Sequence, residues 1–412
     1  GVRWLWPGRL GTYIPKQERM EYPKGEFTFQ PGLELRSLRL MVRSLKPFAV
    51  PDAATDGLIR DEAIRWAENH LGGQRARIPF GHSFGHWWTR YSREHPDYFA
   101  ELPAPYEQPF PKPGYVKLRL ANPAVVEQIA RDYQEAGAPQ YWNVAPNDGS
   151  GFDISPETRA WDIPANQNPN DIFAAKANLT ARYVRFWNAI YERLRQINPE
   201  VILVSYAYSS YRKPPPPHCP LTAKTILQIV DNYEAYEGWQ GWSRYAHGLF
   251  LRPNWWHQGA DAPYLPLEQT YRFIQFARKE RMIGLDMDAV LGYWATQGVN
   301  YYVTARVMNH PELSLEAILD EYTSAFGPGK AKIREYLRYW ERKTGEYRYS
   351  LNATGKSRPP RSKYHDLVNA GKIPASILNG SKYVLPYLYD EAALRPAERL
   401  LDEAEAAIGS SD

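Results

Sequence analysis

Cysteine is almost absent: Cys219 is the only one in 412 residues. No disulfide can form within the chain, and a zinc site built from cysteines is excluded. Long apolar runs are missing; none approaches the roughly 18 residues that a membrane-spanning helix needs. Charge of one sign is scarce. The chain has 50 Lys and Arg against 46 Asp and Glu, a formal charge of +4, and the basic residues do not cluster. Nothing therefore marks a nucleic-acid surface. No Gly-rich phosphate fingerprint follows a strand-like stretch, which removes the usual reason for a doubly wound nucleotide-binding sheet. A signal peptide is missing as well. The chain opens "GVRWLWPG" without an initiator Met, like a fragment or processed form, so that lack excludes nothing about export.

Aromatic side chains are abundant, with 14 Trp and 30 Tyr. Flat amphipathic rings suit the C–H face of a pyranose, and they suit core packing equally. Asn178, Asn352 and Asn379 match the glycosylation sequon, a pattern short enough to arise by chance.

Residues 1–30, rich in Pro, Gly and aromatics, read as a connecting segment. From there to residue 326 strand-like and helix-like stretches alternate. "YVKLRLANPAVVEQIARDYQEAG" gives a strand, then Asn122 as N-cap, Pro123 at the first helical position and Gly137 as the stop. Leu179, Tyr183, Phe186, Ile190, Leu194 and Ile197 recur at helical spacing. "VILVSYAY" (201–208) is a continuous apolar strand, as a doubly covered parallel sheet requires. With 33–40, 76–81, 115–120, 140–145, 225–230, 248–253 and 281–286 it makes eight candidate strands. Helical pieces lie near 59–70, 267–280 and 297–308. The pattern predicts an α/β protein, a (β/α)8 TIM-type barrel over 31–326, with a doubly wound open sheet as the alternative. Residues 327–412 read as a smaller helical domain.

In such a barrel the site lies where the strands end. Arg36 and Arg39 accompany the first strand, as ligands for a hydroxyl or carboxylate or as structural ion pairs. "GHSFGHWW" follows 76–81. Its His82 and His86 are four apart, but Pro79, Gly81 and Gly85 argue against a helical zinc pair, so a substrate loop with Trp87 is expected and no metal. The stretch "QYWNVAPNDGSGFD" ends a strand with Asn147 and Asp148 side by side. Tyr206 closes the next strand. Glu234, then Trp255 and Trp256, then Asp286, Asp288 and Trp294 follow later strands. Carboxylates among rings are what glycoside hydrolysis uses, one acid protonating the leaving oxygen and a second group acting at the anomeric carbon. An Asx-type turn is the plainer reading of Asn147 and Asp148.

The stretches "GVRWLWPGRLGTYIPK", "HSFGHWW", "HPDYFAEL", "LRLANP" and "NVAPNDGSGF" together resemble the bacterial domain of unknown function 4838, a group that includes glycoside hydrolase family 163, endo-acting β-N-acetylglucosaminidases on N-glycans. The first of them resembles the segment joining an N-terminal α/β domain to the barrel in hexosaminidase-like and α-glucuronidase-like proteins. The resemblance covers residues 1–326. It implies a barrel, an N-terminal domain missing upstream, a carbohydrate substrate, no cofactor, and a secreted, periplasmic or cell-surface location. It places the Pro146–Asn147–Asp148 turn in the active site. Many relatives carry cysteines after that turn, whereas "GFDISPETRAWD" has none.

The mechanism expected on that basis is substrate-assisted, with Asp148 as general acid and Asn147 orienting the 2-acetamido group of a GlcNAc unit. Asp286, Asp288 and Glu234 are the candidates for the second carboxylate. Arg36, His82, His86, Trp87, Tyr206, Trp255, Trp256 and Trp294 are the candidates for sugar binding. The partner is then an oligosaccharide or glycan, with no nucleic acid and no membrane span. An α-glucuronidase-like or other exo-glycosidase, using Arg36, Arg39 and Arg252, and a non-catalytic carbohydrate-binding barrel, using Trp255, Trp256 and Trp294, are the alternatives.

Overall fold

The continuous apolar runs become the centre of a sheet. In the computed structural model, strands β1 (Arg3–Trp4) and β2 (Thr12–Tyr13) form a small antiparallel pair. The main sheet is built from β3 (Leu35–Leu40), β4 (Gly73–Gln74), β5 (Tyr141–Asn143), β6 (Ile202–Ala207), β7 (Thr225–Ile229), β8 (Gly248–Leu251) and β9 (Met282–Val290). The structure describes residues 2–16, 25–26, 32–40, 53–70, 72–74, 77–163, 172–173, 177–231, 235–256, 262–290, 293–351, 363–373 and 381–409. Every residue of β6, β7 and β8 is buried, as expected of parallel strands covered on both faces.

The strand order is β4-β3-β9-β8-β7-β6-β5. Six of these strands make a parallel half-barrel, and β4 lies antiparallel on β3 at one edge. This corrects the expected closed (β/α)8 barrel. Two of the eight expected strands form no parallel ladder. Residues 77–80 form no strand; Pro79 offers no N–H, and Gly81 turns the chain at φ +118°. Residues 113–115 are a short 3-10 turn. The segment after them pairs sideways, antiparallel, with Tyr98–Ala100: Ala100 N donates to Lys117 O at 2.9 Å and Arg119 N to Tyr98 O at 2.9 Å. Its backbone groups are thereby used up outside the main sheet.

The chain folds into two compact units. The first comprises 1–74, 254–276 and 285–412; the second comprises 75–253 and 277–284. In the first, α1 (Ala53–Asn69) and α8 (Trp294–Asn309) lie against β3. The charged C-terminal stretches form α10 (Lys330–Leu351) and α13 (Glu391–Gly409), packed on each other.

The second unit carries β5 to β8 with parallel registers throughout. Helix α3 (Pro123–Glu135) begins as its sequence demands: Asn122 Oδ1 accepts from Ala124 N at 3.0 Å, and Gly137 leaves the helix at φ +80°. It packs on α5 (Thr180–Leu194), whose buried face includes Tyr183, Phe186, Ile190 and Leu194. Cys219 is buried, with its thiol 3.6 Å from Ala181 O. Among the described residues no helix is long and apolar enough to cross a membrane.

Candidate functional site

The chain leaves β5 through Val144, Ala145 and Pro146, all buried, and turns at Asn147 and Asp148. A second segment, 81–84, is zipped against this exit. Asn143 Nδ2 donates to Gly81 O at 2.9 Å, Ser83 N to Ala145 O at 3.0 Å, and Phe84 N to Asn147 Oδ1 at 3.1 Å. His82 Nδ1 lies 2.5 Å from Pro146 O. A carbonyl only accepts, so Nδ1 carries the proton and the neutral ring presents Nε2 as an acceptor.

Asn147 is 2% exposed. Its Nδ2 donates to Val116 O at 2.8 Å and its Oδ1 is taken by Phe84 N. The amide is a clamp between three backbone segments and does not face a substrate, so the expected acetamide-orienting role is not available to it. Asp148 is half-buried. Its Oδ1 accepts from the adjacent Gly149 N at 2.8 Å, one residue short of the bond of an Asx turn. The two glycines behind it are obligatory. Gly149 and Gly151 have φ of +80° and +90°, and an added Cβ would stand 3.0 Å from the Tyr115 ring or 3.1 Å from the Phe110 ring.

Lys117 lies under the turn, 4% exposed. Its Nζ donates to the carbonyl oxygens of Asn147 and, at 3.2 Å, Asp148. Burial pulls its pKa down to about 7, against the pull of the Asp148 charge. Burial also lowers the pKa of His82; the Pro146 carbonyl and Asp148 oppose that shift, and Lys117 and Arg252 add to it. The His82 ring meets Tyr206 edge-on at 5.4 Å, and the Arg252 guanidinium lies 5.2 Å from the centre of the same Tyr206 ring. His82, Asp148, Tyr206, Arg252 and Lys117 are thus gathered in the second unit around the end of β5. His82, Asp148, Tyr206 and Arg252 are each candidates named separately from the sequence; Lys117 is the member that sequence reasoning missed. An isolated Lys in "YVKLRL" reads as the solvent side of a strand, and no local signal betrays its burial.

Four of the expected sugar-binding side chains belong to the core instead. Trp87 is 2% exposed and packs against Phe84, Tyr91 and Tyr98. Trp255 meets Phe273, and Trp256, 1% exposed, meets Tyr301. Arg36 is buried and donates to Leu33 O at 2.7 Å. Trp294 is half-buried between Trp66 and Tyr301. The apolar volume of each ring is used in packing, which leaves no free face at Trp87 or Trp256. His86 is exposed just before the short helix Trp87–Tyr91.

In the first unit, Arg39 joins two of the candidate carboxylates. Its Nε lies 2.8 Å from Asp286 Oδ1 and its Nη2 3.2 Å from Asp288 Oδ1. Asp286 is nearly buried, while Arg39 keeps 42% of its side chain exposed. Glu234 lies outside the described residues. Among the described residues no cluster of three His, Cys, Asp or Glu side chains could hold a metal ion.

No curated protein matches the chain. No solved structure matches it. One family model does, over residues 6–338, which is well over half of the sequence and includes β3 to β9. The chain belongs to the family described as domain of unknown function DUF4838.

Proposed function

We propose that the protein is a glycoside hydrolase acting on GlcNAc-containing glycans, with Asp148 as its general acid. The observation that carries the reading is the Asp148 turn itself. A half-buried carboxylate stands at the end of a parallel strand, on a backbone fixed by Asn147, His82 and Lys117. It is beside an imidazole whose acceptor nitrogen is set by the Pro146 carbonyl. A rigidly held carboxyl group aimed at the leaving oxygen is what proton delivery requires.

In the substrate-assisted route, Asp148 gives its proton to the glycosidic oxygen as that bond breaks. The substrate's acetamide oxygen closes on the anomeric carbon. Water then opens the resulting ring and returns a proton to Asp148, so that glycoside and water become two sugars with retention. Because Asn147 is spent on backbone, we assign the acetamide N–H to His82 Nε2 as its acceptor.

The competing readings fit the side chains less well. A non-catalytic sugar-binding protein would display Trp255, Trp256 and Trp294, of which the first two are buried and the third is half-buried between Trp66 and Tyr301. A uronate-directed exo-glycosidase would use Arg36, Arg39 and Arg252; Arg36 is tied to Leu33 and Arg39 to two aspartates, while Arg252 packs over the Tyr206 ring.

The test is digestion of a panel of GlcNAc-containing glycans followed by mass spectrometry, with wild type and Asp148→Asn side by side. Product from the wild type and at least about a 100-fold loss in the variant are expected. No cleavage of any member by folded wild type would sink the hydrolase reading. Near-normal cleavage by Asp148→Asn would move the acid elsewhere.

A further inference from the structure

The second unit buries an amine where a carboxylate partner would be expected. Lys117 gives its Nζ hydrogens to two successive carbonyls, those of Asn147 and Asp148. These carbonyls belong to the peptide planes on either side of the Asp148 Cα. Fixing both planes leaves the direction of the Cα–Cβ bond no freedom. Gly149 N then holds Asp148 Oδ1 at 2.8 Å on the far side. The amine borders a small cavity of about 10 Å³, lined by Phe84, Val116, Pro146, Asn147, Tyr183 and Phe186 among others, room for about one water. The Phe152 ring centre lies 4.9 Å from Nζ.

We propose that Lys117 is a positioning residue for Asp148, aiming the carboxylate by holding the carbonyls that flank its Cα. The assignment rests on the reading of Asp148 as the acid, but its geometry does not. Three titratable groups bear on the amine: Asp148 favours its charge, His82 shares its field, and Tyr183 lines the same cavity. Burial brings the ammonium down to about 7, so the anchor weakens as the amine loses its proton. A neutral amine still donates, but without charge assistance.

Two measurements decide it. The first needs no turnover: the Asp148 ¹³Cγ and Gly149 ¹⁵N signals are followed from about pH 5 to 9 in wild type, Lys117→Met and Lys117→Arg. A step near neutral pH is expected in wild type. It should be absent in Lys117→Met, and Lys117→Arg should keep the low-pH positions throughout. No step in wild type, or an unchanged step in Lys117→Met, which would assign it to His82, overturns the proposal. The second is the split between kcat and KM on a cleaved GlcNAc glycan below neutral pH. Lys117→Met should lose about 100-fold in kcat with KM nearly unchanged, and Lys117→Arg should recover part of it. Wild-type kcat in folded Lys117→Met overturns the proposal. Should wild type cleave nothing, the acid role of Asp148 falls and the NMR titration still decides Lys117. Should Lys117→Met fail to fold, the wild-type and Lys117→Arg titrations decide it.

Discussion

The side-chain oxygen of Asn147 accepts the backbone N–H of Phe84 at 3.1 Å. Two segments far apart in sequence are thereby joined by one amide, whose other end holds Val116 O at 2.8 Å. Both partners are buried. Asn147→Ala strands a donor and an acceptor away from water, each costing about 1–3 kcal/mol. Unfolding in urea should show a loss of roughly 2–6 kcal/mol for Asn147→Ala. Asn147→Asp should be worse still, because a carboxylate would face the Val116 carbonyl. A loss within experimental error would mean that the clamp is dispensable.

His82 sets a pH limit on the proposed chemistry. Its folded pKa lies below the ordinary 6.5 because its surroundings partly desolvate a ring whose residue is still exposed, and Lys117 and Arg252 add to the shift. The ring is therefore neutral at and above that ordinary value and stays so somewhat below it. The acid limb of kcat/KM assigned to His82 should fall below pH 6.5. Protonation puts a donor where Nε2 must accept. In His82→Gln the limb should vanish together with most of the activity; a limb at the same pH in that variant would assign it to another group.

Six of the eight expected strands join the parallel sheet, and β6, β7 and β8 were the most visible because they are buried throughout and read as unbroken apolar runs. The two failures have the same source. "ARIPFG" and "YVKLRL" are also short and apolar, and composition does not say where a backbone sends its hydrogen bonds. The second bonds to Tyr98–Ala100, a pairing made by tertiary position. The Asp148 turn was legible from Asn147, Asp148 and two glycines, yet Asn147's work was not. An amide that grips Phe84 and Val116 has the same sequence signature as one that grips a ligand. The tryptophans misled for a similar reason. Trp255 and Trp256 follow a strand end, and only the fold shows that they turn inward.

Gly284 is a spacing device in β9. A Cβ there would stand 1.8 Å from Phe250 Cε1, and the Phe250 ring packs edge-on against Phe80 at 5.0 Å. The ring is fully buried and has no room to yield. Gly284→Ala should destabilise by about 1–3 kcal/mol through overpacking. Combining it with Phe250→Leu should cost less than the two single changes added together, the sign of a shared contact. Strict additivity would remove the steric explanation.

His70 makes the first unit acid-sensitive. Its Nε2 lies 2.7 Å from Trp4 O and so donates, and the same oxygen accepts from Trp66 Nε1 at 2.8 Å. The ring, 8% exposed, packs on Trp66 and Tyr302. Burial lowers its pKa to about 4; Arg306 and Arg3 add to the shift, and the Trp4 carbonyl and Glu321 oppose it. The unfolded chain binds this proton near 6.5 and the folded chain only near 4, so protons favour unfolding between those values. The stabilising contribution is complete above pH 6.5, declines as pH falls, and is gone below about 4. The linked loss is on the order of 3 kcal/mol. In His70→Gln, which keeps a donor for Trp4 O, unfolding free energy measured from pH 7 to 4 should fall by correspondingly less than in wild type. An identical slope in both proteins would mean that the acid sensitivity comes from other groups.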